Sequence, residues 1–264
     1  MLYKYMATLP FDFNYKTYLS LNKDLNKNMT FEETVHHYFN HGINEKRTYK
    51  KNINILVTVM SCKKHSHLWN DIKNRTKNLI IFTGSYDKTP SYYDKNEQIL
   101  YLNCNDNYEG LPEKMILMIE KILTLPDFKS VTHILKIDDH DTYFTNENIT
   151  NLYNLNEIHL YNYIGQKKEY RSPNTLSDYH FGKVSDKSIW NNKKGDVSNV
   201  TWLDGGCSYI LSRKAMKIIN KFYNSSNLKT LRQNEIYEDV MIGRILGLNN
   251  CKPHIVNFNI KGDK

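Results

Sequence analysis

The chain has 264 residues, with 36 lysines and arginines against 28 aspartates and glutamates and a formal net charge of +8. That length holds one full α/β domain with a small appendage and excludes a scaffold that needs staples to fold. The basic balance would suit a polyanion, but the lysines are scattered among asparagines and tyrosines and no recognition motif accompanies them, so no nucleic-acid partner is expected.

Met1 to Pro10 is interrupted by Lys4 and soon turns polar, so neither a signal peptide nor a membrane span is expected there. Residues 1–50 read as a small helical module. A first helix over Tyr15 to Leu25 offers Tyr18, Leu19 and Leu21 for packing. A second opens on a capping box, Thr30 with Glu33, carries Phe31, Val35 and Tyr38 at helical spacing, and has Gly42 placed to end it. His36, His37 and His41 on such a helix fit a surface or an interface better than a metal.

Residues 51–264 read as one domain in which strands alternate with helices. Ile53 to Met60, Leu79 to Thr83, Ile99 to Leu102 and Val131 to Ile137 are apolar runs of strand length, and Glu113 to Leu125 carries Met115, Ile116, Ile119 and Leu123 on one helical face. That alternation predicts a mostly parallel sheet flanked by helices. Gln166 to Asn199 is polar and lacks a period, which marks it as a functional loop or a mobile one. Beyond it come a strand at Cys207 to Leu211, a helix over Arg213 to Tyr223, and a last helix over Asp239 to Leu246 that Gly247 would end. The cysteines Cys62, Cys104, Cys207 and Cys251 form no C-x-x-C pair, which predicts reduced thiols in a cytoplasmic setting.

Three segments can carry chemistry. Asp138-Asp139-His140-Asp141 follows the run that ends at Ile137. Carboxylates packed there repel one another unless a cation sits among them, and hard oxygen donors select Mg2+ or Mn2+; a solvated acidic turn is the other reading. Gly205-Gly206 before a strand allows a ligand to approach the main chain closely, or makes a plain β-turn. Glu238-Asp239 at a helix start is favoured by the helix dipole, and a carboxylate fixed there can also act as a general base.

In this order the three segments resemble the β-1,3-galactosyltransferase and Fringe superfamily of inverting GT-A glycosyltransferases. Asp106-Asn107-Tyr108-Glu109-Gly110-Leu111-Pro112-Glu113-Lys114 is similar to the D-x-Y-x-x-L-x-x-K segment that precedes that family's metal motif. Tyr179-His180-Phe181-Gly182-Lys183 resembles a segment ahead of its Gly-Gly turn. The resemblance implies an α/β, Rossmann-like GT-A fold over about residues 52–260. It also implies transfer of a hexose (galactose, glucose or N-acetylglucosamine) from a UDP-sugar to a hydroxyl of a glycan or glycoprotein acceptor.

The same resemblance implies roles for particular residues. Thr58 and Ser61 would cradle the uridine, with Lys114, Asp138, Gly205 and Gly206 also at the nucleotide. Asp139, Asp141 and His254 would hold Mn2+, or Mg2+, and Asp239 would be the base. Where the family has three consecutive aspartates, this chain has His140 between Asp139 and Asp141. His140 keeps a second reading in view, a catalytically inactive nucleotide- or carbohydrate-binding relative. The polar loop, with Tyr170, Arg171, His180 and Trp190, is expected to set the acceptor. Tyr18-Leu19-x-Leu21-Asn22-x-Asp24-Leu25 with the segment His37 to Arg47 is similar to a short module found beside glycosyltransferase domains in bacterial and giant-virus proteins. Golgi members of the family carry a membrane anchor and paired cysteines not found here, which implies a cytoplasmic enzyme of a bacterium or, in the host cytoplasm or virion, of a large DNA virus; the wealth of Asn, Lys, Ile and Tyr, matching an AT-rich genome, leans toward the virus.

Overall fold

A computed structural model of the chain describes residues 8–10, 13–50, 52–85, 90–140, 142–155, 157–258 and 260–262. Two compact units emerge, residues 1–53 with 152–160, and residues 54–151 with 161–264.

In the first unit, helix α1 (Tyr15–Leu21) starts on Asn14, whose side chain accepts from Thr17 N at 2.9 Å. Helix α2 (Phe31–His37) starts on the capping box predicted for Thr30 and Glu33, with both reciprocal bonds present. Phe13, Tyr18, Val35 and Tyr38 form its core. The buried Tyr18 hydroxyl is satisfied by His37 Nδ1 at 3.0 Å, so this histidine is spent inside the module, and burial holds it below its usual pKa. The helix runs on as a wider π turn (Tyr38–Gly42) that stops at Gly42, and a Cβ on Gly42 would collide with the Tyr18 hydroxyl, so close approach explains the glycine.

The second unit is built on an eight-stranded sheet. Its strands are β1 (Ile55–Met60), β2 (Leu79–Gly84), β3 (Tyr92–Asp94), β4 (Ile99–Leu102), β5 (His133–Asp138), β7 (Tyr163–Gly165), β12 (Tyr209–Ser212) and β13 (His254–Ile255), in the spatial order β13-β7-β12-β5-β1-β2-β4-β3. Short pairs lie outside it: β6 (Thr142–Tyr143) with β14 (Lys261–Gly262), β8 (Lys168–Tyr170) with β11 (Thr201–Leu203), and β9 (Leu176–Ser177) with β10 (Gly195–Asp196). Pairing is parallel among β5, β1, β2 and β4 and again between β13 and β7. Only β12 and β3 run against their neighbours in the large sheet.

Every residue of β1 and β2 is buried, which is why both read as unbroken apolar runs rather than as alternating strands. One sheet face, with Leu56, Ile80, Phe82 and Leu100, packs on three helices: α4 (Leu111–Thr124), α7 (Arg213–Phe222) and α9 (Glu238–Leu248). They contribute Met115, Ile119, Met216, Ile219, Met241 and Ile245. Burying each such side chain stabilises the fold by about 1.5–3 kcal/mol. The other helices are α3 (Trp69–Lys73), which touches β2, α5 (Asn146–Leu152), α6 (Glu157–Leu160, in the first unit) and α8 (Leu228–Asn234). Among the described residues no helix is long and apolar enough to cross a membrane.

The strand order positions the site. From β1 the chain adds β2 and β4 outward on one side, then returns through α4 to lay β5 on the other side of β1. The carboxyl ends of β1 and β5 thus flank the point where the order reverses, the place where open α/β sheets bind ligands. Met60 and Asp138 are register partners at that edge.

The polar stretch at 166–199 is not a bare loop. Val184, Trp190, Val197 and Val200 pack with Trp202, Ile236, Tyr237 and Val240 into a satellite core. His180 is fully buried at its side, Nδ1 at 2.6 Å from the Tyr237 hydroxyl and Nε2 at 3.0 Å from the carbonyls of Trp190 and Lys193. His180 and Trp190 therefore hold the segment together and are not available to stack on a ligand. Tyr170 is exposed, and the Arg171 guanidinium lies over the Trp202 ring at 5.5 Å.

Candidate active site

Lys136 joins the three chemistry-bearing segments. It sits near the end of β5 with its side chain only 1% exposed, where an unpaired ammonium would be costly. Nζ pairs with Asp138 Oδ1 at 2.7 Å and Glu238 Oε1 at 2.8 Å, and donates to the Gly205 carbonyl at 3.2 Å. Tyr209, its register partner on β12, donates its hydroxyl to Glu238 Oε2 at 2.7 Å. Two carboxylates thus share one ammonium, leaving a net negative charge. Burial holds the Asp138 carboxyl above its usual range, with Lys136 pulling it down and Glu238 pushing it up.

Gly205 explains itself in this packing. A Cβ there would stand 2.6 Å from Glu238 Oε1 and 3.2 Å from Lys136 Nζ, so the turn must be bare for the ion cluster to close. Gly206 is under less pressure, its added Cβ meeting only Asp204 Oδ1 at 3.5 Å; its N–H donates to that same oxygen at 3.0 Å.

Asp239 is the second residue of α9. Its Oδ2 accepts from Gly205 N at 3.2 Å and its Oδ1 from Val240 N at 2.8 Å. Burial and the adjacent Glu238 charge push its pKa up to about 7, against the opposing pull of the Gly205 N–H and Lys136. A carboxylate tuned there exchanges protons near neutrality, as a general base requires.

Asp139 lies one residue past β5, its N–H on the Met60 carbonyl at 3.2 Å. Ser61 Oγ donates to Asp139 Oδ2 and itself accepts from Trp69 Nε1 at 2.6 Å. His65 Nδ1 stands 3.0 and 3.1 Å from the two Asp139 oxygens, with the His140 ring 5.7 Å from its own. A buried pair braces this corner: Lys114 Nζ donates to Asp106 Oδ1 at 2.8 Å and to the Ser61 carbonyl at 2.9 Å. Asp106 in turn accepts from Gly84 N and Thr83 Oγ1 at the end of β2, and from Lys63 N after β1. The spacing of Asp106 and Lys114 is thus that of a clamp over the ends of β1 and β2.

A cavity of about 1230 Å3 opens at these strand ends. Ser61, His65, Asp106, Lys114, Asp138, Asp139 and His140 line it, together with Tyr108 and Lys183. Of the residues singled out in the sequence, Ser61, Lys114, Asp138 and Asp139 meet in the cavity; Gly205 is tied to Asp138 through Lys136, and Asp239 to Gly205 through the Gly205 N–H, outside the cavity lining. Thr58 does not: it is fully buried in mid-strand, its hydroxyl donating to the Leu135 carbonyl at 3.1 Å. His254 is not brought to Asp139 either. It pairs with Ile164 on β13, three strands or about 14 Å from β5, and stacks on Tyr161 at 3.6 Å. Asp141 lies outside the described residues. Among the described residues no three His, Cys, Asp or Glu side chains are grouped to hold a metal ion.

The carboxylates still fit a divalent cation. Asp106 and Asp138 have lysine partners, whereas Asp139 faces the cavity with a serine hydroxyl and an imidazole as neighbours, hard oxygen donors carrying a surplus negative charge. Sequence reasoning placed Glu238 and Asp106 in its motifs without giving either a role of its own, gave none to Lys136 or Tyr209, and missed His65. A lysine inside an otherwise apolar strand was the one signal for Lys136; His65 left none.

An open, mostly parallel sheet flanked by helices, with a carboxylate-lined cavity at its switch point, is an α/β fold of GT-A, Rossmann-like type. Residues 90–257, more than half of the chain, match the Galactosyltransferase family model, and the chain belongs to that family. Membership implies glycosyltransferase activity, with a donor and an acceptor substrate. No curated protein matches the chain. Among solved structures it is similar to a 4-diphosphocytidyl-2C-methyl-D-erythritol synthase from Anaerococcus prevotii, at 13% identity over 80% of this chain and 91% of that one, with a TM-score of 0.40.

Proposed function

We propose that the protein is a metal-dependent inverting hexosyltransferase that uses a UDP-sugar, with Asp239 as its general base. The observation that carries this reading is the Asp239 carboxylate, held against Gly205 N–H with its pKa pushed up to about 7 and tied through Lys136 to the strand end that carries Asp138 and Asp139. Asp239 takes the proton of the acceptor hydroxyl as its oxygen bonds to the anomeric carbon. The bond from that carbon to the diphosphate breaks on the opposite face, UDP leaves with the electron pair, and the configuration inverts. Mn2+ or Mg2+ at Asp139, with Asp141 as the second carboxylate, would neutralise the diphosphate charge. Ser61 and His65 hold the Asp139 carboxylate in place, and Lys136 and Tyr209 fix Glu238 so that the start of α9 does not shift.

A screen of UDP-galactose, UDP-glucose and UDP-N-acetylglucosamine with and without Mn2+, reading UDP release, tests the reading. One donor should be turned over only with metal. Asp139→Asn should weaken UDP binding in the presence of Mn2+ roughly 10-fold or more, the size of a lost charge-assisted contact, and leave metal-free UDP binding unchanged. UDP affinity without turnover of any donor would instead describe the inactive relative.

A further inference from the structure

The turn that carries Tyr179 and Lys183 is built onto the start of the helix that bears Asp239. His180 is the bolt. Its Nδ1 contacts the hydroxyl of Tyr237, the residue that precedes α9, and that hydroxyl donates to Ser177 Oγ at 3.0 Å. Lys183 N and Val184 N return to the His180 carbonyl, and Ser185 bonds to Glu109 through both its N–H and its hydroxyl, the latter at 2.5 Å. Residues 177–185 are therefore fixed between Tyr108–Glu109 and Tyr237–Asp239.

Out of this turn projects an ammonium held by aromatic faces. Lys183 Nζ lies 3.2 Å from the centre of the exposed Tyr179 ring and 5.6 Å from that of Tyr108. Tyr108 and Lys183 both line the cavity. Tyr108 is held far above its usual pKa by burial first and by the Asp239 charge next. Among the described residues no carboxylate pairs with Lys183, whereas the buried lysines of the cavity, Lys114 and Lys136, each have one. A cation parked on a ring keeps donor hydrogens free for an anion.

We infer that the rim formed by Tyr108, Tyr179 and Lys183 is the acceptor subsite, and that it takes a sugar bearing an anionic group, a carboxylate or a phosphate, near the accepting hydroxyl. This rests on the glycosyltransferase reading of the same cavity. Lys183 binds the anionic group and the exposed aromatic edge shields the sugar ring from water, on a turn that Tyr237 ties to the start of the helix bearing Asp239.

Binding of methyl β-D-glucuronide, glucose 6-phosphate and neutral methyl β-D-glucoside to the full chain, with and without UDP and Mn2+, tests this by calorimetry. The inference predicts that at least one anionic sugar binds roughly 10-fold more tightly than the neutral one, as a charge-assisted contact requires. Lys183→Gln should erase that preference, and Tyr179→Ala should weaken all three sugars. Equal affinity for charged and neutral sugars, no binding of any of them, or a preference that survives Lys183→Gln would overturn it. So would a Lys183→Gln loss of UDP affinity by the same factor, which assigns the lysine to the donor. UDP and Mn2+ titrations on the same samples keep the two readings apart: a chain that binds the acidic sugar but no UDP fails as a UDP-sugar enzyme, and the reverse fails only as to the acceptor.

Discussion

Two buried lysines stand on either side of the β1–β5 edge, and they do different work. Lys114 has one carboxylate partner, Asp106, and the pair is neutral; it ties Ser61, the end of β2 and the first turns of α4 into a rigid corner. Lys136 has two partners, Asp138 and Glu238, with Asp239 next to them, so its cluster carries excess negative charge. The neutral pair is scaffold. The overcharged cluster is also scaffold, but its surplus charge, acting with burial, is what raises Asp239 into the neutral range. One lysine holds a shape and the other sets a proton affinity.

The largest effect should come from removing the group on which the second cluster acts. Asp239→Asn is expected to lower sugar transfer by roughly 10²–10⁴-fold, the range for a lost general base, while UDP binding in calorimetry stays at the parent value. A variant that transfers at the parent rate would remove Asp239 from the mechanism.

Lys136→Met and Lys114→Met then separate the two clusters. Each leaves carboxylates buried without their cation, so urea unfolding should show a loss of about 3–5 kcal/mol for either one. Only Lys136→Met removes a charge that lowers the Asp239 pKa, so in its folded fraction the acidic limb of the rate profile should move above pH 7. Lys114→Met should leave that limb in place. If both variants moved it, or neither, the contrast between the clusters would fail.

The smallest change sharpens the comparison from the other direction. Glu238→Gln deletes the negative neighbour that raises Asp239 and keeps an oxygen for the Tyr209 hydroxyl. The limb should shift below pH 7, with a stability cost of about 1.5–3 kcal/mol, the worth of a hydrogen bond to a charged group, because the Lys136–Glu238 ion pair is lost as well. An unmoved limb would mean that burial alone sets the Asp239 pKa.

Much of the fold was legible because β1, β2, β4 and β5 are short apolar runs buried on both faces, and α4 shows its stripe. The segment at 166–199 was not, because Val184, Trp190 and Val197 are scattered contributors to a core that depends on Val200, Trp202 and Tyr237 from beyond the segment. The site was legible only as separate motifs. Asp139, Gly205 and Asp239 stood out by residue type, but the unit they belong to is a long-range ion cluster on Lys136, and Glu238 read as an ordinary helix-start acid. Thr58 looked like a hydroxyl at a strand end until the register put it in mid-strand, bonded to Leu135. His65 gave no signal in its polar stretch, since its meaning comes from Asp139, seventy-four positions away.

The most direct test of the central claim is the pH dependence of sugar transfer by the parent chain, measured from pH 5 to 9 at fixed Mn2+ and subsaturating acceptor. The base works only when deprotonated, so with a pKa of about 7 the rate should fall about tenfold per pH unit well below that value and level off above it. A rate that stays flat from pH 5 to 8 would contradict Asp239 as the tuned base.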